Sequence, residues 1–170
     1  SPCARSPVSA SRGSVWAMTR IDTAHLRIDA SPDRVFAALI DPTAWERWLP
    51  PEGMTGRIER FDAHPGGTYR MVLSYDDPSD APGKTTAAED LFEGRFIEIT
   101  EGVRVVQEVE FASDDPAFAG IMRMTWEVEP EESGALVRFT AENVPSGISA
   151  ADHIEGLTSS LRNLAAVVTP

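Results

Sequence analysis

The sequence predicts an α+β domain in which a curved antiparallel sheet wraps around one long C-terminal helix. The end of the chain carries apolar residues at helical spacing, the middle is a succession of strand-like segments, and the connections between those segments are short. Strands that follow one another through short turns favour antiparallel pairing with one apolar face. A single amphipathic helix buries its apolar stripe most economically against that face.

The C-terminal helix is predicted over residues 149–168. Its apolar residues recur at steps of three and four, which places them along one stripe. Ser149 stands at the expected N-cap, and Asp152 three residues later completes a capping box. The predicted stripe consists of Ile154, Leu157, Leu161, Leu164 and Val168.

The first part of the domain is predicted as one strand followed by two short helices. Residues 24–30 alternate between apolar and polar, as in a half-buried strand. Ser31-Pro32 then begins one helix and Asp41-Pro42 begins the next, each with a capping side chain before a proline. The second helix carries Trp45 and Trp48, and a proline pair ends it.

Six further strands are predicted between the short helices and the long one. They are separated by turn signals, of which the clearest is Pro65-Gly66-Gly67. An acidic loop rich in proline and glycine is predicted over residues 76–88. The predicted strands are 54–61, 68–75, 89–100, 103–111, 121–129 and 135–143.

Length and charge limit the classes of function. The 170 residues favour one domain over 18–170, preceded by a leader at 1–17 without hydrophobic period.

Fifteen Lys and Arg against 27 Asp and Glu give a net charge of −12, which disfavours nucleic acid and anionic membranes. The single Cys3 gives no internal disulfide, and the histidines are far apart, so we expect no metal or cofactor. These features predict a cytoplasmic protein.

The methionines and aromatic residues predict a ligand cavity between the last helix and the sheet. Two strands carry them on one face, where they are either ordinary core or the lining of an adaptable pocket. The two helical tryptophans are expected to pack against the sheet mouth or to gate it. The predicted ligand-binding residues are Trp45, Trp48, Tyr69, Met71, Leu73, Gln107, Met122, Met124, Trp126, His153, Leu157 and Leu161.

The order of elements and four local segments resemble a known family. The segments are residues 31–39, 45–48, 64–69 and 156–164. Over residues 20–168 the chain resembles the helix-grip fold of the START-like (SRPBCC) superfamily, and within it the branch named for the activator of the heat-shock protein 90 ATPase. The chain departs from the usual pattern at His64, where the branch has arginine, and at Leu157, where it often has tryptophan.

The resemblance implies a pocket for a small, largely apolar molecule. Members of the wider superfamily bind lipids, hormones or polyketides, and a minority catalyse cyclisation or dehydration in the pocket. A fold does not establish an activity, so the name of the branch does not assign a function to this chain.

Three side chains are candidates for chemistry in such a pocket. His153 could serve as acid or base if its ring faces the cavity, but a histidine at such a position more often lies at the helix flank bonded to water. Glu93 and Arg95 share one strand face, and they are functional candidates if that face is the inner one. The alternative is that a twist or bulge turns them toward solvent.

We therefore predict a protein that binds a lipid, polyketide or aromatic metabolite. One alternative is a metal-free cyclase or dehydratase with His153 or Glu93 as base and Tyr69 or Arg95 stabilising an enolate. A second is a co-chaperone-like interaction module, which requires an exposed apolar patch. A homodimer and a chaperone partner are compatible with the sequence, which points to neither.

Overall fold

The computed structural model describes residues 19–50, 52–77, 89–111 and 114–169. They form one seven-stranded antiparallel sheet and three α-helices in the order β1-α1-α2-β2-β3-β4-β5-β6-β7-α3. This is the predicted α+β, helix-grip arrangement. The predicted leader, Cys3 and residues 78–88 of the predicted loop lie outside the described residues.

The seven strands follow one another in the sheet except for the first. The spatial order is β1-β7-β6-β5-β4-β3-β2, so β1 joins the last strand, with Ile21 opposite Glu142. The six later strands are confirmed within two residues at each end, while the first begins three residues before its predicted start. Their bounds are β1 Ile21–Ile28, β2 Met54–Phe61, β3 Thr68–Tyr75, β4 Glu89–Thr100, β5 Arg104–Glu110, β6 Ile121–Glu131 and β7 Gly134–Glu142.

Each of the three helices begins at the side chain that the sequence predicts as its cap. The helices are α1 Pro32–Leu39, α2 Pro42–Trp48 and α3 Ala150–Val168. Ser31, Asp41 and Ser149 each accept a hydrogen bond from a backbone N–H of the first turn that follows, at 3.2, 2.9 and 3.4 Å. These bonds satisfy amide groups that have no partner within the helix.

The helix α3 packs against β1 and against the two short helices. Leu157, Leu161, Leu164 and Val168 are buried in the core. The prediction for Ile154 was wrong, since that side chain is 42% exposed. Instead, His153, four positions before Leu157, faces inward at this end of the apolar stripe.

The helix α2 is tied to the edge of the sheet. The backbone N–H of Ile58 on edge strand β2 donates to Glu46 of α2 at 2.9 Å. The strand has an irregular register between Ile58 and Arg60, and its neighbouring side chains are charged. The irregular register and the charges hinder pairing with a second chain at an edge strand. The hydrogen bond from Ile58 to Glu46 holds α2 beside β2.

Candidate functional site

The two tryptophans of α2 lie inside the domain, between the helices and the sheet. Trp45 and Trp48 are at most 1% exposed, and their indole N–H groups donate to the carbonyls of Leu39 at 2.8 Å and Ala38 at 3.0 Å. Buried indoles usually find such a partner. The prediction that these residues pack α2 against the sheet is confirmed, because the rings of Trp48 and Trp126 lie 5.1 Å apart.

Trp45 covers the part of the sheet formed by β2, β3 and β4. Its ring centroid is 4.9 Å from Phe61, 5.0 Å from Tyr69 and 6.0 Å from Phe96. The two closer contacts are edge-to-face arrangements, which aromatic pairs prefer. Tyr69 is therefore enclosed by α2 on one side and by the sheet on the other.

Most of the predicted ligand-binding residues come together in this interior. Leu73 is half-buried and lies at the margin, while His153 is separate from the group and is described below. The residues that are less than 9% exposed and belong to the interior are Trp45, Trp48, Tyr69, Met71, Gln107, Met122, Met124, Trp126, Leu157 and Leu161.

Two polar atoms in this apolar interior have no hydrogen-bond partner. The hydroxyl of Tyr69 and the amide nitrogen of Gln107 are both buried and unpaired within the described residues. Tyr69 is 0% and Gln107 2% exposed. Burial also raises the pKa of the Tyr69 phenol, so the group keeps its proton and can donate. In native interiors the great majority of buried polar groups have a hydrogen-bond partner. Two such groups without one therefore indicate a missing partner.

The sheet register places these two groups on the same face. Tyr69 of β3 lies opposite Gly94 of β4, and Gln107 of β5 lies opposite Phe96, two residues along β4. A Cβ atom on Gly94 would be only 2.5 Å from the Tyr69 hydroxyl. The end of the phenol therefore lies over Gly94, and Gln107 belongs to the next inward-facing row of the sheet, on β5.

Replacing Tyr69 with phenylalanine tests whether the hydroxyl is unpaired. We expect the free energy of unfolding to stay unchanged or to rise by up to about 1 kcal/mol, because the substitution removes a buried group without a hydrogen bond. Urea unfolding of both proteins measures the difference. A loss of about 1 kcal/mol or more would show that the hydroxyl has a partner in the unliganded protein.

A second cluster joins β1 to the start of α3. The carboxylate of Asp22, 3% exposed, lies 2.7 Å from His153 Nδ1 and 2.9 Å from an Arg20 guanidinium nitrogen. Burial raises the pKa of Asp22, but the hydrogen bonds and charges of Arg20 and His153 outweigh it and hold the pKa below its ordinary value. His153 therefore joins α3 to β1. This role differs from both roles predicted for it, acid or base in the cavity and water-bonded residue at the helix flank.

Replacing Asp22 with asparagine should lower the free energy of unfolding at pH 7 by about 2 kcal/mol, the usual range for a hydrogen-bonded charged group. Since the folded-state pKa is lowered, the stabilisation is present above the unfolded pKa of about 3.9 and is lost as pH falls through the folded value. Urea unfolding at pH 7 and at pH 3 measures both effects.

The matched control is Glu59→Gln, which removes an exposed carboxylate whose pKa Arg70 also lowers. We expect that variant to unfold like the parent, since exposed ion pairs contribute little. An equal response of the two variants to pH would contradict a special role for Asp22.

Glu93 and Arg95 face the outer side of the sheet. Glu93 lies 3.0 Å from Arg60, and Arg95 lies 3.1 Å from Glu108, which also pairs with Arg123 at 2.9 Å. The structure therefore bears out the second alternative for them, in which the strand turns them toward solvent. A register shift between Phe96 and Glu98 shows why, because β4 changes the parity of its inner face along its length.

The open groove of the molecule belongs to this outer, ion-paired face. It has a volume of about 810 Å³ and contains both Glu93 and Arg95, while none of the predicted ligand-binding residues lines it. Its other lining residues are Arg60, Thr68, Gly94, Glu108, Val109, Glu110, Phe111, Asp114 and Ile121.

The residues expected to perform catalysis do not converge. His153 is bound to Asp22 beside β1, whereas Tyr69 is on β3, five strands away in the sheet order. Glu93 and Arg95 are on the opposite face from Tyr69. Neither His153 nor Glu93 is therefore placed to act as a base beside Tyr69.

The described residues contain neither a metal-binding cluster nor a membrane-spanning helix. No group of three or more His, Cys, Asp and Glu residues is placed to hold a metal ion. None of the helices is long and apolar enough to cross a membrane. Four large apolar side chains are exposed on separate elements, as is normal for a globular protein: Ile21, Val103, Ile121 and Ile154.

The fold and the enclosed aromatic interior define a helix-grip domain of the START-like class. The family model described as "Activator of Hsp90 ATPase homolog 1-like protein" matches residues 29–169. The chain belongs to this family, as its sequence motifs predicted. No curated protein matches the chain.

Solved structures share the fold over most of the chain. A protein of Chromobacterium violaceum is 31% identical with a TM-score of 0.77, and the match covers 88% of this chain and 97% of that one. An Arthrobacter aurescens protein has 18% identity and a TM-score of 0.73, covering 88% and 86%. An AHSA1-like protein of Aeromonas hydrophila has 17% identity and a TM-score of 0.69, covering 88% and 92%.

Sequence reasoning missed two buried carboxylates on the inner face, Asp22 and Asp90, which are 3% and 6% exposed. Asp22 could have been found, because it continues the apolar alternation of residues 24–30 two positions toward the N-terminus. Asp90 could not, because apolar residues occur at both parities of β4.

Proposed function

We propose that this protein binds a small, largely apolar molecule in the interior between α3 and the inner face of the sheet. The observation that carries the proposal is the buried, unpaired pair of Tyr69 and Gln107. An unsatisfied buried group costs about 1–3 kcal/mol. A ligand that supplies the missing hydrogen-bond partner would recover that energy on binding.

The composition of the interior supports the same function. Met71, Met122 and Met124 are buried on the same inner face, with Met124 opposite Gln107, and methionine side chains adapt easily to the shape of a ligand. The family fold also commonly binds hydrophobic ligands. The open groove is a weaker candidate, since Glu93 and Glu108 there already pair with arginines.

Access to the interior involves α2. Trp45 covers Tyr69, and the hydroxyl and amide are closed to solvent in this structure. The helix has only seven residues and follows α1 through the short link at Ile40 and Asp41. We infer that a ligand enters by displacing α2 and its tryptophans.

Native mass spectrometry of the protein purified from its own host tests the function. We expect one apolar molecule per chain, released and identified after denaturation. A wholly unliganded mass, together with no thermal shift across a panel of lipids, polyketides and aromatic compounds, would contradict the proposal.

A further inference from the structure

We propose that the ligand carries a neutral hydrogen-bond acceptor, a carbonyl oxygen of the ketone, ester or amide type, which binds to Tyr69 and Gln107 together. This inference rests on the proposed function and specifies the ligand class for the same site.

The two unpaired atoms require an acceptor rather than a donor. An amide nitrogen donates only, and the phenol keeps its proton because burial raises its pKa. Both groups project from the inner face in adjacent rows of the sheet, with the Tyr69 hydroxyl over Gly94 and Gln107 opposite Phe96, two residues along β4. A carbonyl oxygen has two lone pairs, so one atom can accept from both groups.

The charges of the interior exclude an anionic acceptor. The buried polar side chains of the described part are Asp22, Asp90 and Gln107, of which two are acidic and none is basic. The arginines near this part of the sheet, Arg60 and Arg95, lie on the outer face in ion pairs. A carboxylate or phosphate would be buried without a cation, which is highly unfavourable.

The surrounding side chains define the rest of the ligand. Trp45, Phe92 and Phe96 have ring centroids 5.0, 5.6 and 5.2 Å from that of Tyr69. These three rings place aromatic surface against the phenol ring of Tyr69. The ligand class is therefore an apolar, aromatic or alicyclic molecule with one neutral carbonyl near its buried end.

Three probes of similar shape separate these properties. Benzophenone has a neutral carbonyl, diphenylmethane has none, and diphenylacetate carries a negative charge. Isothermal titration of the full chain should give an affinity for benzophenone about tenfold or more above that for the other two. A tenfold ratio corresponds to about 1.4 kcal/mol, which two net hydrogen bonds of ordinary strength supply.

Variants of the two donors provide the matched controls. Tyr69→Phe and Gln107→Leu keep the approximate volume and should each lower the affinity for benzophenone relative to that for diphenylmethane. Unfolding in urea confirms that each variant is folded.

The outcomes distinguish this inference from the function on which it rests. Equal affinity for benzophenone and diphenylmethane, or tighter binding of diphenylacetate, would overturn the carbonyl assignment and leave ligand binding intact. A benzophenone preference that persists in both variants would also overturn it. Failure of all three probes to bind, with no ligand in native mass spectra, would overturn both.

Discussion

Replacing Trp45 with alanine is expected to lower the free energy of unfolding by about 3–5 kcal/mol, the range for removing a large aromatic side chain from a core. The side chain is 1% exposed, contacts the rings of Phe61 and Tyr69, and donates to the carbonyl of Leu39. Since a domain of this kind is stable by about 5–15 kcal/mol, the variant should lose a large share of its total stability. Urea unfolding followed by circular dichroism measures the change.

The control for this prediction is Trp45→Phe. Phenylalanine keeps an aromatic ring between α2 and the sheet but loses the indole hydrogen bond, so a smaller loss of about 1–2 kcal/mol is expected. A loss of less than 1 kcal/mol for the alanine variant would show that α2 does not seal the interior in solution. The proposed route of ligand entry would then need to be abandoned.

Replacing Gly94 with alanine is expected to destabilise the protein by about 3 kcal/mol, at the upper end of the range for overpacking. A Cβ atom there would contact the backbone carbonyl of Glu108 and lie 2.5 Å from the Tyr69 hydroxyl. The carbonyl belongs to the neighbouring strand and cannot move without disturbing the sheet. The variant should also lose the benzophenone preference, because the phenol is displaced.

Gly156→Ala is the matched substitution with the opposite sign. Gly156 lies on the exposed side of α3, and an added Cβ meets nothing within 4 Å. Alanine there should stabilise the protein by about 0.5–1 kcal/mol through helix propensity. Thermal unfolding of the two variants in parallel checks both signs. A neutral Gly94→Ala would contradict the close approach of Tyr69 to β4.

The sequence predicted the fold well because its signals are local. Caps at Ser31, Asp41 and Ser149, and turns rich in proline and glycine, mark the element boundaries without reference to distant residues. The strand alternation of residues 121–129 identifies the inner face of β6 correctly, as Met122, Met124 and Trp126 are all buried.

The site was harder to predict because it depends on relations between distant residues. Asp22 and His153 are 131 positions apart, and no local pattern connects them. The inner face of β4 changes parity at its bulge, so the alternation of residues left the orientation of Glu93 and Arg95 undecided. The unpaired state of Tyr69 could not be predicted either, since it requires knowledge of every atom around the hydroxyl.

The pairing of β1 with β7 has a consequence for how the chain folds. Thr23 donates to the carbonyl of Phe139, 116 residues further along. During synthesis the first strand therefore emerges long before β7, its one partner among the described strands, and that pairing cannot form until β7 has left the ribosome. Because such long-range contacts close late, we expect slow folding limited by the docking of β1.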